Sequence, residues 1–291
     1  MTPSELARKV RYIQLHTRRA VNDLLAGEYT SAFKGTGMEF EEVREYQPGD
    51  DVKAIDWNVT AKQGRPYIKR FREERELTVM FAVDLSASGA FGSSAMTKND
   101  LSAELCAMLA LSAVKSNDKV GMAIFTDTVE RFIPPAKGSA NALRLVREIL
   151  AFRPQGTGTD ISSAIDTLGR VLRRRAVVFF ISDFQDDGYM DRLAAFARKH
   201  DVIAITVADP EEAALPDVGL IQLQDAETGE EILLDSGSAN VRKHFSLASR
   251  LQTVQRDDAF RSAGIDQILL NTHEDYAKKL ITFFKTREHR R

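Results

Sequence analysis

Val79-Met80-Phe81-Ala82-Val83-Asp84-Leu85-Ser86-Ala87-Ser88 is the stretch from which the rest of the chain is read. Five apolar residues in a row read as a strand buried on both faces, as in a parallel sheet covered by helices. The run ends in an acid, followed by two alternate hydroxyl residues. A second run, Val178-Phe179-Phe180-Ile181, ends in Ser182-Asp183. Between them, Gly156-Thr157-Gly158-Thr159-Asp160 opens a helix.

Outward from these runs, strands and helices alternate. Strands are predicted over 77–83, 120–125, 129–133, 176–181, 202–207 and 267–270. Helices are predicted over 101–114, 140–150, 161–172, 190–199, roughly 240–262 and 274–285. Residues 219–223 and 231–234 flank Glu227-Thr228-Gly229 and read as a hairpin. Continuous apolar strands separated by helices imply an α/β fold with a doubly wound, mostly parallel sheet. Such sheets bind ligands outside the carboxyl ends of their strands, where the strand order reverses.

Two regions follow: an N-terminal helix with a wrapping segment over 1–75, and the sheet domain over 76–291. Residues 4–26 form an amphipathic pattern, with Leu6, Val10, Ile13, Val21, Leu24 and Leu25 on one face and Leu15 off it. Ser4 is its expected cap and Gly27 its stop. Residues 28–75 read as irregular, punctuated by Gly35, Gly37, Pro48-Gly49-Asp50 and Gly64. Trp57, the only tryptophan, is expected to anchor this segment in the core.

With 291 residues, 43% of them hydrophobic, the chain can bury a substantial core. The net charge of −2 argues against a protein built to coat nucleic acid or anionic membrane, either of which favours a basic excess. Residues 173–175 and 69–75 are basic clusters that read as solvated surface. The one cysteine, Cys106, lies in an apolar helical run and fits a reducing compartment. No secretory signal and no stretch near the roughly 20 apolar residues of a membrane span is visible. A cytoplasmic location is therefore expected, which makes the sequon at Asn58 accidental.

Asp84 and Asp183 are expected at the ends of neighbouring strands, about 5 Å apart in the hydrogen-bonding direction. Carboxylates that close repel unless a cation or proton lies between them. Ser86 and Ser88 can present hydroxyls to the same point, and Thr159 one more. An all-oxygen donor set without Cys or His suits Mg²⁺, with Mn²⁺ or Ca²⁺ as alternatives, rather than zinc. Two carboxylates only neutralise a divalent ion. An open coordination position would then accept a carboxylate from a partner protein, which is recognition rather than catalysis. Each element alone has a plainer reading: a turn at Asp84 and Ser86, a helix cap at Thr159, a strand-end turn at Asp183.

Together these residues resemble the von Willebrand factor A domain and its metal-ion-dependent adhesion site. The family's Asp-x-Ser-x-Ser falls on Asp84, Ser86 and Ser88, its threonine on Thr159, and its later aspartate on Asp183. Thr157 competes for the threonine; the family's spacing to the following helix favours Thr159. That aspartate is usually followed by Gly, whereas this chain has Phe184. A second resemblance covers more of the chain. The run from Gly37 to Asp51, then Ile55-Asp56-Trp57, then Phe71-Arg72-Glu73-Glu74-Arg75, is similar to domain-of-unknown-function family 58. That resemblance implies a bacterial protein with a von Willebrand A-like domain, encoded beside MoxR-type AAA+ ATPases, and an adaptor or chaperone-like partnership with such an ATPase. Read as residues alone, Arg44, Arg72 and Arg75 can pair with Glu42, Asp50, Asp51 and Asp56 and clip this segment to the sheet.

An enzymatic alternative is a Mg²⁺-dependent phosphatase-like hydrolase using Asp84. A strand ending in Asp is similar to haloacid dehalogenase-like phosphatases, which use a second Asp two residues on as acid/base; here that residue is Ser86, which cannot shuttle protons at neutral pH. A nucleotide module lacks the Gly-Lys-Ser/Thr of a P-loop. The histidines are scattered and read as surface or helix-end residues.

Overall fold

The computed structural model describes residues 3–20, 26–33, 37–74, 76–93 and 96–290. The chain divides into two compact units, one of residues 33–76 and one of 1–32 together with 77–291. The N-terminal helix therefore belongs with the sheet unit, not with the segment that follows it. Helix α1 (Pro3–Ala20) buries Ile13 against Ala107 and Val146, while Leu15 stays exposed. Ser4 lies inside the helix rather than capping it. Val21, Leu24 and Leu25 lie outside the described residues. Gly27 stands within α2 (Ala26–Ala32) and stops nothing.

The smaller unit is not irregular. Strand β1 (Gly37–Glu45), helix α3 (Trp57–Gln63) and strand β2 (Tyr67–Glu74) make an antiparallel pair with a capped helix between its strands. A register shift between Phe40 and Glu42 breaks the period-two alternation that marks a strand in sequence. Arg44 donates to both oxygens of Asp50, at 2.9 and 2.7 Å, and the Gln47 amide donates to the same carboxylate. Asp56 caps α3 by accepting from the Asn58 and Val59 amides, and pairs with Lys69. The described charges of the signature thus fix turns within their own unit. Trp57 is 67% exposed at the first position of α3 and anchors no core.

In the larger unit the order is β3 (Thr78–Asp84), α4 (Lys98–Lys115), β4 (Lys119–Phe125), β5 (Val129–Ala136), α5 (Ser139–Ala151), α6 (Ile161–Val171), β6 (Val177–Ser182), α7 (Met190–Lys199) and β7 (Asp201–Ala208). Then come β8 (Leu220–Gln224), β9 (Glu231–Asp235), α8 (Ala239–Ser262), β10 (Asp266–Asn271) and α9 (Tyr276–Arg290). The elements expected from residue 76 onward are all present. The six-stranded sheet has the order β10-β7-β6-β3-β4-β5, parallel except for the antiparallel β4–β5 pair. β8 and β9 form the separate hairpin.

Strand alternation sorts the core. Met80, Ala82, Val178 and Phe180 pack with Ile165, Leu168, Leu193 and Phe260 from α6, α7 and α8. On the opposite face Phe81 stacks on Phe179, with ring centroids 5.5 Å apart. Helix α4 is apolar around most of its circumference and buried, Cys106 included, because α1 and α5 pack against it. At the sheet edge, β5 carries Pro134-Pro135, and the register with β4 shifts between Val120 and Met122. Gly121 is required there: a Cβ would lie 2.7 Å from the Pro135 nitrogen. No described helix is long and apolar enough to cross a membrane.

Two buried polar groups hold the amino ends of the strands. Arg287 of α9, 3% exposed, donates to both oxygens of Asp201 at 2.5 and 2.6 Å and pairs with Asp266 at 2.7 Å. It thereby ties β7 to β10. His200, at the end of α7, is 1% exposed; it stacks on Phe196 and accepts a hydrogen bond from the Ala176 amide at 3.3 Å. Burial, then Lys199 and Arg175, push its pKa down to about 4.

Arg287→Ala leaves two acids without their guanidinium and is expected to cost about 3–5 kcal/mol, read as a lower urea midpoint. For His200, the unfolded chain takes up a proton near pH ~6.5, whereas the folded chain resists until about pH 4. Stability should therefore fall as pH drops through that window. His200→Asn, which keeps an acceptor for Ala176, should flatten the slope by up to about 1.4 kcal/mol per pH unit, measured by chemical unfolding at successive pH values.

Candidate functional site

β3 and β6 run parallel side by side, with Val83 opposite Ile181. Their next residues therefore emerge at one rim, where the chain winds off in opposite directions on either side of this strand pair. Asp84 and Asp183 are both buried there. Asp84 Oδ1 accepts from the Ser86 amide at 2.9 Å, and Oδ2 from the Ser182 hydroxyl at 2.6 Å. The Ser86 and Ser88 hydroxyls share a hydrogen bond of 3.1 Å. Asp183 Oδ1 accepts from the Gln185 amide at 3.2 Å.

Asp183 Oδ2 has a different partner. Lys98, the first residue of α4, donates to it from Nζ at 2.7 Å and to Glu212 Oε1 at 2.6 Å. The Lys98 side chain is 3% exposed. Asp84, Ser86, Ser88, Lys98, Asn99, Ser102, Ser182 and Asp183 line a pit of about 10 Å³, the size of one water or a small ion. Asn99 Oδ1 is buried in this lining without a hydrogen-bond partner among the described residues. Gly89 closes one side, where a Cβ would stand 2.2 Å from that oxygen.

The electrostatics follow from burial. Desolvation and then the neighbouring Asp183 push the Asp84 pKa up to about 6. Burial works against a charged Lys98, but Asp183 and Glu212 outweigh it and raise its pKa. Asp84, Asp183 and Glu212 with one ammonium leave two negative charges uncompensated among these four groups. No described group of three or more His, Cys, Asp or Glu is placed to hold a metal ion. A cation here would have to draw on the hydroxyls.

Four of the five residues singled out from sequence meet at this pit. Thr159 does not line it; its hydroxyl donates to Glu227 Oε1 at 2.6 Å, at the tip of the β8–β9 hairpin. Thr157, its rival, accepts from the Ala87 amide through its carbonyl at 3.1 Å, so this loop abuts the serine turn. Lys98, Glu212, Ser182 and Asn99 were not legible as site residues. The one signal was a basic residue in the first turn of a helix, where the macrodipole disfavours it.

Phe184 resolves the departure from glycine noted above. Its φ is 57°, the left-handed region that glycine enters freely and a bulky side chain does not. The loop keeps a glycine-like shape. Packing against Tyr189 and Phe260, and a hydrogen bond from its amide to Ser182 Oγ at 2.9 Å, hold the strained residue. Such a conformation costs on the order of 1–3 kcal/mol and persists where its surroundings over-determine it.

Among known proteins, this chain is 32% identical over 288 residues to an uncharacterized protein of Mycobacterium bovis, covering 97% of this chain and 90% of that one. The same figures hold for an uncharacterized protein of Mycobacterium tuberculosis. Among solved structures, the conserved hypothetical protein BatB from Bacteroides thetaiotaomicron aligns with 73% of this chain and 99% of its own, at 17% identity and a TM-score of 0.48. The SpRpn10 VWA domain aligns with 71% of this chain and 94% of its own, at 12% identity and a TM-score of 0.40. Residues 42–255 match the family described as protein of unknown function DUF58. That match runs from β1 into α8, the mycobacterial relatives align along nearly their whole length, and the chain therefore belongs to the DUF58 family.

Proposed function

We propose that the chain is a von Willebrand factor A-like protein-binding module whose ligand is recognised through a divalent cation. The observation that carries this reading is the buried acid pair Asp84 and Asp183, joined by Ser86 and Ser88 around an ion-sized pit. Mg²⁺ suits the all-oxygen set, with Mn²⁺ or Ca²⁺ as alternatives. Asp84, Ser86, Ser88 and Asp183 would hold it; Thr159, whose hydroxyl is engaged by Glu227, is not among these ligands. Asn99 Oδ1, without a hydrogen-bond partner among the described residues, and the excess negative charge fit a cation. When bound, the ion would supply a Lewis-acidic position for a partner's carboxylate.

The chain's own residues prepare that position. Ser182 and the Ser86 amide orient the Asp84 carboxylate; the Gln185 amide and Lys98 orient Asp183. The partner we favour is a MoxR-type AAA+ ATPase in the cytoplasm, with this protein as its adaptor or chaperone-like companion. The support is membership of DUF58 together with a single, buried cysteine, Cys106. Hydrolysis through Asp84 is the weaker reading, because the residue two positions on is Ser86, not an acid.

Mg²⁺ titration calorimetry tests the site. Asp84→Ala, and separately Ser86→Ala with Ser88→Ala, should abolish measurable Mg²⁺ binding while circular dichroism stays native. Affinity equal to wild type in folded variants would refute the ion site. Capture from native lysate in Mg²⁺ against EDTA should recover an AAA+ ATPase only with the ion.

A further inference from the structure

Lys98 breaks two local rules at once. It places a cation in the first turn of α4, against the helix dipole, and it buries an ammonium that water would solvate better. Its helix start is already secured without it, since Thr97 and Asp100 form a capping box. The ammonium instead spans two carboxylates from different elements, Asp183 after β6 and Glu212 after β7.

We propose that Lys98 is the resident counter-cation of this site, holding Asp183 when no divalent ion is bound and competing with the ion for that carboxylate. This rests on the ion-dependent reading above. Two cations cannot share Asp183 Oδ2 at contact distance without repulsion inside a buried site. Glu212 gives the ammonium somewhere to remain. Its other oxygen accepts from the Asp209 amide at 3.3 Å, within the turn that Asp209 caps, so it is a fixed station rather than a mobile one. Lys98 can thus yield Asp183 to the ion and keep a charged partner. The arrangement reduces the repulsion within the acid pair in the ion-free protein and lowers the affinity for the ion. The site would then fill only where divalent ion is abundant or a partner adds its own carboxylate.

The test is Mg²⁺ calorimetry on wild type, Lys98→Met and Glu212→Gln, with melting temperatures in EDTA and in Mg²⁺. Lys98→Met should bind Mg²⁺ about tenfold tighter or more, the change that ~1.4 kcal/mol makes. It should melt lower than wild type in EDTA and show the larger rise with Mg²⁺. Glu212→Gln leaves Asp183 as the ammonium's remaining carboxylate and should bind Mg²⁺ more weakly. If wild type binds and folded Lys98→Met binds equally or less tightly, the competition is refuted and the ion site stands. If neither folded protein binds, the ion site fails and the role of Lys98 with it. Should Lys98→Met not fold, unchanged or tighter binding by Glu212→Gln refutes the proposal.

Discussion

Two carboxylates buried side by side at the fork between β3 and β6 have to be compensated, and much of the surrounding structure answers to that constraint. Placing Asp84 and Asp183 out of water raises the energy of their charged forms, and each raises it further for the other. The fold meets this with oriented donors: the Ser182 hydroxyl and the Ser86 amide on Asp84, the Gln185 amide and the Lys98 ammonium on Asp183. Helix α4 begins where its first residue, Lys98, reaches Asp183. The turn after β7 brings Glu212 to the same ammonium. The left-handed Phe184 makes the corner that follows Asp183, and the aromatic cluster beneath it keeps the corner closed.

The sheet unit was largely legible because its signals are continuous. Val178 to Ile181 is apolar without interruption, so strand type, burial and parallel neighbours all follow. Asp84, Ser86, Ser88 and Asp183 could be placed at one rim because a strand end is a fixed point in such a fold. Thr159 was harder. Sequence puts it on a loop facing the right edge, but its hydroxyl is engaged by Glu227, 68 residues away, a long-range contact that no local pattern announces. Lys98 and Glu212 were hidden for a related reason. Each looks like an ordinary charge in its own segment, and only the crossover of α4 and the turn after β7 bring them together.

The segment over 33–76 was misread for a local reason. Its glycines and charges look like loop composition, while the bulge at Phe40/Glu42 conceals the strand period. The signature that is similar to the family is built from devices of local structure. Asp50 organises a turn, Asp56 caps a helix, Gly64 ends it in the left-handed conformation. Trp57 is the exception: it lies at the surface, where a large aromatic suits contact with another molecule better than it suits a core.

The edge strand β5 carries a further implication. Pro134 and Pro135 remove two backbone donors from the margin of the sheet, and Gly121 lets their backbone press close against β4. A margin without a regular row of amides is a poor template for a foreign strand. Growth of the sheet by strand addition, one way an open sheet edge binds another chain, is disfavoured on that side. For the binding role proposed above this matters, because attachment through bare backbone needs no recognition at all.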